Sequence, residues 1–137
     1  MQGIKDRVWR DIAILYSRNL YNLAESIVDA FGFDFDHCFG FFDNLKRWTD
    51  SKVKYELFAD LENQGIEPVD SKSVKKTQIQ QVFKNKGDKM LFLFDYGDNW
   101  EFVIHLKSIE EPNLKKFYPQ VIESVGEAPE QYPSFEE

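Results

Sequence analysis

The chain reads as an α+β domain: a mostly antiparallel sheet with a core β-hairpin and two or three helices packed on it. Three observations predict this. Residues 91–106, LFLFDYGDNWEFVIHL, set two aromatic-rich runs on either side of a short polar turn. Residues 19–32 carry apolar side chains at helical spacing between a capping residue and a glycine. The 137 residues include 13 Phe, 6 Tyr and 3 Trp, far more than a disordered chain carries, so a packed core is required.

The elements follow in chain order. VWRDIAILY, residues 8–16, is rich in β-branched and aromatic types, with Ile12, Ile14 and Tyr16 at period two, and reads as a strand. In the next segment Leu20, Leu23, Ala24, Ile27, Val28 and Phe31 recur at three-and-four spacing, which predicts an amphipathic helix. Asn19 is its N-cap, because its side-chain oxygen can accept from first-turn amides, and Gly32 is its stop. A strand is expected over 38–43; residues 54–62 could form a strand or a helix, and the alternation of Tyr55, Leu57, Ala59 and Leu61 favours strand. NQGIEPVDSKS, residues 63–73, reads as a loop through Gly65 and Pro68. TQIQQVFKNKG, residues 77–87, reads as a short helix with a Thr77–Gln80 capping box and a stop at Gly87. In the hairpin, Met90, Phe92 and Phe94 alternate before the turn and Trp100, Phe102, Ile104 and Leu106 after it, with Gly97 able to take positive φ. From Pro112 the chain reads as an irregular Pro/Glu-rich segment with a short edge strand over 118–125.

One domain over residues 1–137 is expected, long enough for a real core. A net charge of −7 favours solubility and argues against general affinity for phosphate backbones or anionic membranes. Cys38 is the only cysteine, so an intramolecular disulfide and a cysteine-rich zinc site are excluded and a reducing cytoplasm is the expected location. No apolar run approaches the roughly 20 residues that span a bilayer, and the N-terminus lacks the apolar core of a signal peptide. Charge is uneven: residues 71–89 hold six lysines (72, 75, 76, 84, 86, 89) against Asp88, and residues 110–137 hold seven glutamates against Lys115 and Lys116. Pairing of the two within the fold is one explanation.

Asp95, Asp98 and Glu101 lie three apart, close enough for two carboxylates to meet one divalent ion. The alternative is that Asp95, Asp98 and Asn99 bond backbone amides and shape the turn. His37, in DFDHCF near Asp34 and Asp36, and His105, on the polar register of the second hairpin strand, could join a carboxylate in a transition-metal site, but a structural hydrogen-bonding or surface role is the preferred reading of each. Cys38 lies in an aromatic strand, where burial keeps a thiol inert. Neither a nucleophile elbow nor a phosphate-cradling glycine loop is present, and no catalytic residue is assigned.

VWRDI, NLYNLAESIVDAFGF, DHCFGFF and above all LFLFDYGDNWEFVIHL together resemble the plasmid pRiA4b ORF-3-like family. Its hallmark turn and Trp-Glu strand correspond here to Asp95, Tyr96, Gly97, Asp98, Trp100 and Glu101, followed by Tyr118-Pro119 and Gly126-Glu127-Ala128-Pro129. The resemblance covers nearly the whole chain. It implies a compact α+β domain, found alone, within longer proteins or as a passenger of mobile elements, and it implies no reaction. Many members have His at the position of Ala24 and Cys-Pro-Pro where this chain has Ala128-Pro129-Glu130, so metal or thiol roles at those positions do not carry over.

The leading functional expectation is a small cytoplasmic binding or interaction module. Some of Trp9, Trp48, Tyr96 and Trp100 would line a groove for a protein or small-molecule partner, and Asp95, Tyr96, Asp98, Trp100, Glu101 and His37 are the candidate ligand-binding residues. One alternative is a metal-assisted hydrolase using Asp95, Asp98, Glu101 and His37, which requires those groups to converge. Another is a mobile-element-associated nucleic-acid binder leaning on Lys72, Lys75, Lys76, Lys84 and Lys86, a partner class that the overall acidity disfavours.

Overall fold

The computed structural model describes residues 8–59 and 71–132. In chain order the elements are β1 (Trp9–Ala13), α1 (Leu20–Ala30), β2 (Phe39–Phe42), a 3-10 turn (Trp48–Asp50), β3 (Lys54–Glu56), β4 (Lys72–Ser73), α2 (Ile79–Val82), β5 (Lys89–Phe94), β6 (Trp100–His105) and β7 (Gln120–Val125). The fold class is α+β. A five-stranded sheet has the order β4-β3-β2-β5-β6, antiparallel except for the β3–β4 pair, and β1 and β7 form a separate antiparallel ribbon.

The hairpin pattern places β5 beside β6 with Phe94 opposite Trp100, Phe92 opposite Phe102 and Met90 opposite Ile104. β6 is an edge strand and alternates as read, with Trp100, Phe102 and Ile104 half-buried and Glu101, Val103 and His105 exposed. β5 is a central strand buried on both faces from Met90 to Phe94. Its even-numbered side chains join Phe39, Phe41 and the apolar stripe of α1 in the main core, while Leu91 and Leu93 join Phe42 under Leu45, Trp48 and Tyr96. Each fully buried Phe of this set contributes about 1.5–3 kcal/mol.

α1 forms where its periodicity places it. The Asn19 side chain accepts from the Asn22 amide at 2.8 Å, and Asn22 returns the bond to the Asn19 amide at 3.4 Å. Gly32 follows at φ +71, where the Gly32 and Phe33 amides close back on Asp29 and Val28.

Several expectations are corrected. The strand over 54–62 ends at Glu56, and residues 57–59 turn as a 3-10 helix; residues 60–62 lie outside the described residues. The loop over 63–73 closes with β4, which pairs with β3; its Gly65 and Pro68 also lie outside the described residues. The second helix is a single turn whose box is shifted by one residue: Gln81 accepts from the Gln78 amide at 2.7 Å, and Thr77 Oγ1 donates to Ser73. Gly87, at φ +98, belongs to the turn entering β5 and donates to Leu106, rather than ending that helix. The edge strand expected over 118–125 is present as β7, paired with β1.

Candidate functional site

The acidic turn is built by Asp95, which is 7% exposed. Its backbone sits at φ +67 and that of Asn99 at +58, whereas Gly97 does not take the positive φ expected of it. The reason is local chemistry. The Asp95 carboxylate accepts from the amides of Gly97 and Asp98, each at 3.1 Å, and Asp and Asn are the non-glycine residues that best tolerate the left-handed region. Among the described residues the Asp98 side chain accepts from no turn amide, and Asn99 uses its side-chain amide to bond Glu101 at 2.8 Å.

Of the six candidate ligand-binding residues, the structure joins His37 to Asp95. The His37 Nε2 lies 3.3 Å from Asp95 Oδ2 and 2.7 Å from the Tyr132 hydroxyl, which donates to Asp36 at 2.8 Å. Tyr132 is 51% exposed, and its ionisation is pushed up to about 12 by partial desolvation first, then by the bond to Asp36 and the nearby carboxylates of Asp36, Asp95 and Asp98. Beside it the Gln131 side chain, 9% exposed, accepts from the Asp34 amide at 2.7 Å and donates to the Asp34 carbonyl at 3.1 Å. The turn is therefore one end of a clamp that fastens residues 131–132 to residues 34–37.

The other candidates separate. The Tyr96 hydroxyl crosses the sheet to donate to Glu56 at 2.5 Å, and burial followed by this bond raises its ionisation well above the phenol range. Glu101 is exposed and bonded to Asn99. His105 pairs with Lys89 at the end of β5 remote from Asp95, roughly 20 Å away at about 3.3 Å per strand residue. Among the described residues no group of three or more His, Cys, Asp or Glu side chains is placed to hold a metal ion. The convergence that a metal-assisted hydrolase requires is absent from them. Burial pushes the Cys38 thiol up, consistent with an unreactive side chain.

The expected aromatic lining also moves. Trp48 and Tyr96 pack on each other over Phe42, Leu91 and Leu93, and Trp9 lies on the outer ribbon with its indole N–H donating to Glu123. Trp100 stands edge-on to Phe33 with ring centroids 4.9 Å apart, and Phe94 stacks on Phe35 at 6.0 Å. The signature hairpin thus supports the two phenylalanines that face a groove of about 470 Å³. Ile14, Val28, Phe33 and Phe35 provide its apolar surface; Glu25, Asp29 and Asp34 provide carboxylates against the single guanidinium of Arg18, and Pro119 closes one side. Among the described residues none of these charged groups has an ion-pair partner. Sequence reading missed the groove, although a trace existed. Asn22, Glu25, Ser26 and Asp29 form a stripe at helical spacing, and like charges at i and i+4 weaken a helix unless something outside it uses them.

The lysines of residues 71–89 do not pair with the tail glutamates among the described residues. Lys72 and Lys75 lie instead over the rings of Tyr55 and Tyr21. Lys76 and Lys84 border a second, shallower concavity of about 590 Å³ with Tyr16, Gln78, Gln80 and Gln81.

The fold and the grooved, clamped surface define a small α+β domain. The profile of the plasmid pRiA4b ORF-3-like proteins matches residues 1–132, and the chain belongs to that family. A comparison with curated proteins finds no match. Among solved structures the chain is similar in fold to a protein of unknown function, MM3350, from Methanosarcina mazei Go1. The TM-score is 0.68 at 22% identity over 90% of this chain, and the match spans 64% of that protein's length. Among the described residues no helix is long and apolar enough to cross a membrane.

Proposed function

We propose that this domain is an interaction module whose groove, formed by Ile14, α1 and residues 33–35, receives a peptide segment combining apolar and basic side chains. One observation carries the reading: three carboxylates with no ion-pair partner among the described residues rim an apolar floor that includes Phe33 and Phe35. Apolar burial would supply affinity, and the rim would select charge and speed encounter. The hairpin contributes by backing Phe33 and Phe35 through Trp100 and Phe94.

The test is a titration of the protein with short peptides of matched hydrophobicity and opposite charge, read by amide chemical shifts. Basic–apolar peptides are expected to perturb the amides of residues 14, 25–35 and 120, the last next to Pro119, to weaken several-fold between low and physiological salt, and to lose at least ten-fold in affinity on Asp29→Lys. Equal binding of acidic and basic peptides, or shifts located elsewhere, would overturn the reading.

A further inference from the structure

Residues 113–118, between β6 and β7, form a compact turn whose large apolar side chains find no cover. The Asn113 side chain accepts from the Lys115 amide, its carbonyl accepts from the Lys116 amide, and its own amide donates to the Tyr118 hydroxyl, each at 3.0 Å. The turn is held by its own bonds, yet Leu114 is 94% exposed and Phe117 93%. Two large apolar side chains standing in water on an ordered turn mark a docking element rather than a scattered surface residue. Between them lie Lys115 and Lys116, both exposed. The turn therefore presents apolar, basic, basic, apolar in sequence.

That pattern complements the groove, with its apolar floor and its excess of three carboxylates over one guanidinium. It also emerges at the groove's edge, since Pro119 is a lining residue and Phe117 lies only two positions before it. The turn does not fold back into its own groove, because Leu114 and Phe117 remain almost fully exposed. Adjacent, complementary and mutually unoccupied surfaces on one chain are the arrangement for reciprocal exchange about a two-fold axis. Resting on the groove reading above, we propose that the groove's occupant is the Leu114–Phe117 turn of a second copy of this chain, each copy inserting into the other. A single buried Phe removes roughly 150–250 Å², and with the leucines and the groove surface covered on each copy two such insertions reach only the low end of the ~1,200–2,000 Å² of standard interfaces. A transient, salt-sensitive dimer is the expected species.

Sedimentation velocity of the full chain from about 10 to about 500 µM tests this. A reversible monomer–dimer equilibrium is expected that shifts to monomer with added salt. Phe117→Ser should abolish it without loss of fold, since that side chain buries nothing, and Asp29→Lys should abolish it equally. Lys115→Glu with Lys116→Glu should dissociate the dimer, and adding Glu25→Lys and Asp29→Lys should restore it. A wild-type chain monomeric throughout, or a dimer indifferent to Phe117→Ser, would overturn the proposal. A dimer lost with Phe117→Ser and kept with Asp29→Lys overturns it too, by placing the turn elsewhere. A peptide of residues 112–119 titrated into the Phe117→Ser chain separates the two readings: if the peptide occupies the groove while the full chain never dimerises, the groove stands and self-docking fails. If neither occurs, both fail.

Discussion

Gly40 shows how tightly the second, smaller core is closed. A Cβ at this position would lie 2.8 Å from the Phe42 ring and 2.9 Å from the Tyr96 hydroxyl. That hydroxyl is fixed by its bond to Glu56, so neither neighbour can withdraw cheaply. Gly40→Ala is therefore expected to cost about 1–3 kcal/mol, the usual penalty for overpacking a filled core. Urea denaturation followed by tryptophan fluorescence measures it, and a change below about 0.5 kcal/mol would sink the argument. Tyr96 itself was read as a ligand-binding residue because it sits in the signature turn. A turn residue's backbone position is visible in sequence, but the side of the sheet its side chain serves depends on Glu56, 40 residues earlier. The same limit applied to Asp95. Its three-residue spacing from Asp98 suggested a shared ion, whereas two amide bonds and His37 account for its carboxylate.

Elements were readable where the information was local. The period of α1, its Asn19 cap and its Gly32 stop lie within fourteen residues, and the β5–β6 pairing is fixed by alternation across a five-residue turn. Reading failed where a distant partner decided the outcome. β1 pairs with β7, more than 100 residues away, as Trp9 opposite Val125 demonstrates. The short β3 is a strand because β2 and β4 flank it, not because of its own alternation. The second helix moved its box from Thr77 to Gln78 because Ser73 claimed the Thr77 hydroxyl. The cap of α1 gives the clearest element-scale prediction. Asn19→Ala removes the acceptor for the Asn22 amide and should lower stability by about 1 kcal/mol. Asn19→Asp should cost less, because its carboxylate accepts the same bond and meets the favourable end of the helix dipole, although it loses the side-chain donation to the Lys75 carbonyl at 3.1 Å. Equal losses in the two variants by thermal denaturation would contradict the capping role.

For the whole molecule, the signature turn and the groove belong to one mechanical unit. Residues 34–37 carry Asp34 and Phe35 to the groove at one end and His37 to Asp95 at the other, and residues 131–132 fasten both ends. The groove was not readable in sequence because β1's exit, α1, residues 33–35 and Pro119 meet only in three dimensions. Tyr132 offers a way to test the clamp by pH. Its ionisation is pushed from an ordinary 10.0 up to about 12, so the fold favours the neutral phenol that donates to Asp36. The stabilisation it contributes is fully present below pH 10 and is lost as pH rises from 10 towards about 12, where the unfolded chain has released a proton that the folded one retains. Tyr132→Phe should lack this alkaline component while sharing the contributions of Tyr55 and Tyr96, whose ionisations are also raised. The difference between wild-type and Tyr132→Phe ultraviolet titrations should show one tyrosine ionising near 12, and peptide binding in the groove should weaken in Tyr132→Phe and more so in Gln131→Ala. A difference titration centred at 10 would mean that Tyr132 is free in solution, and the clamp would then have no hold on the groove wall.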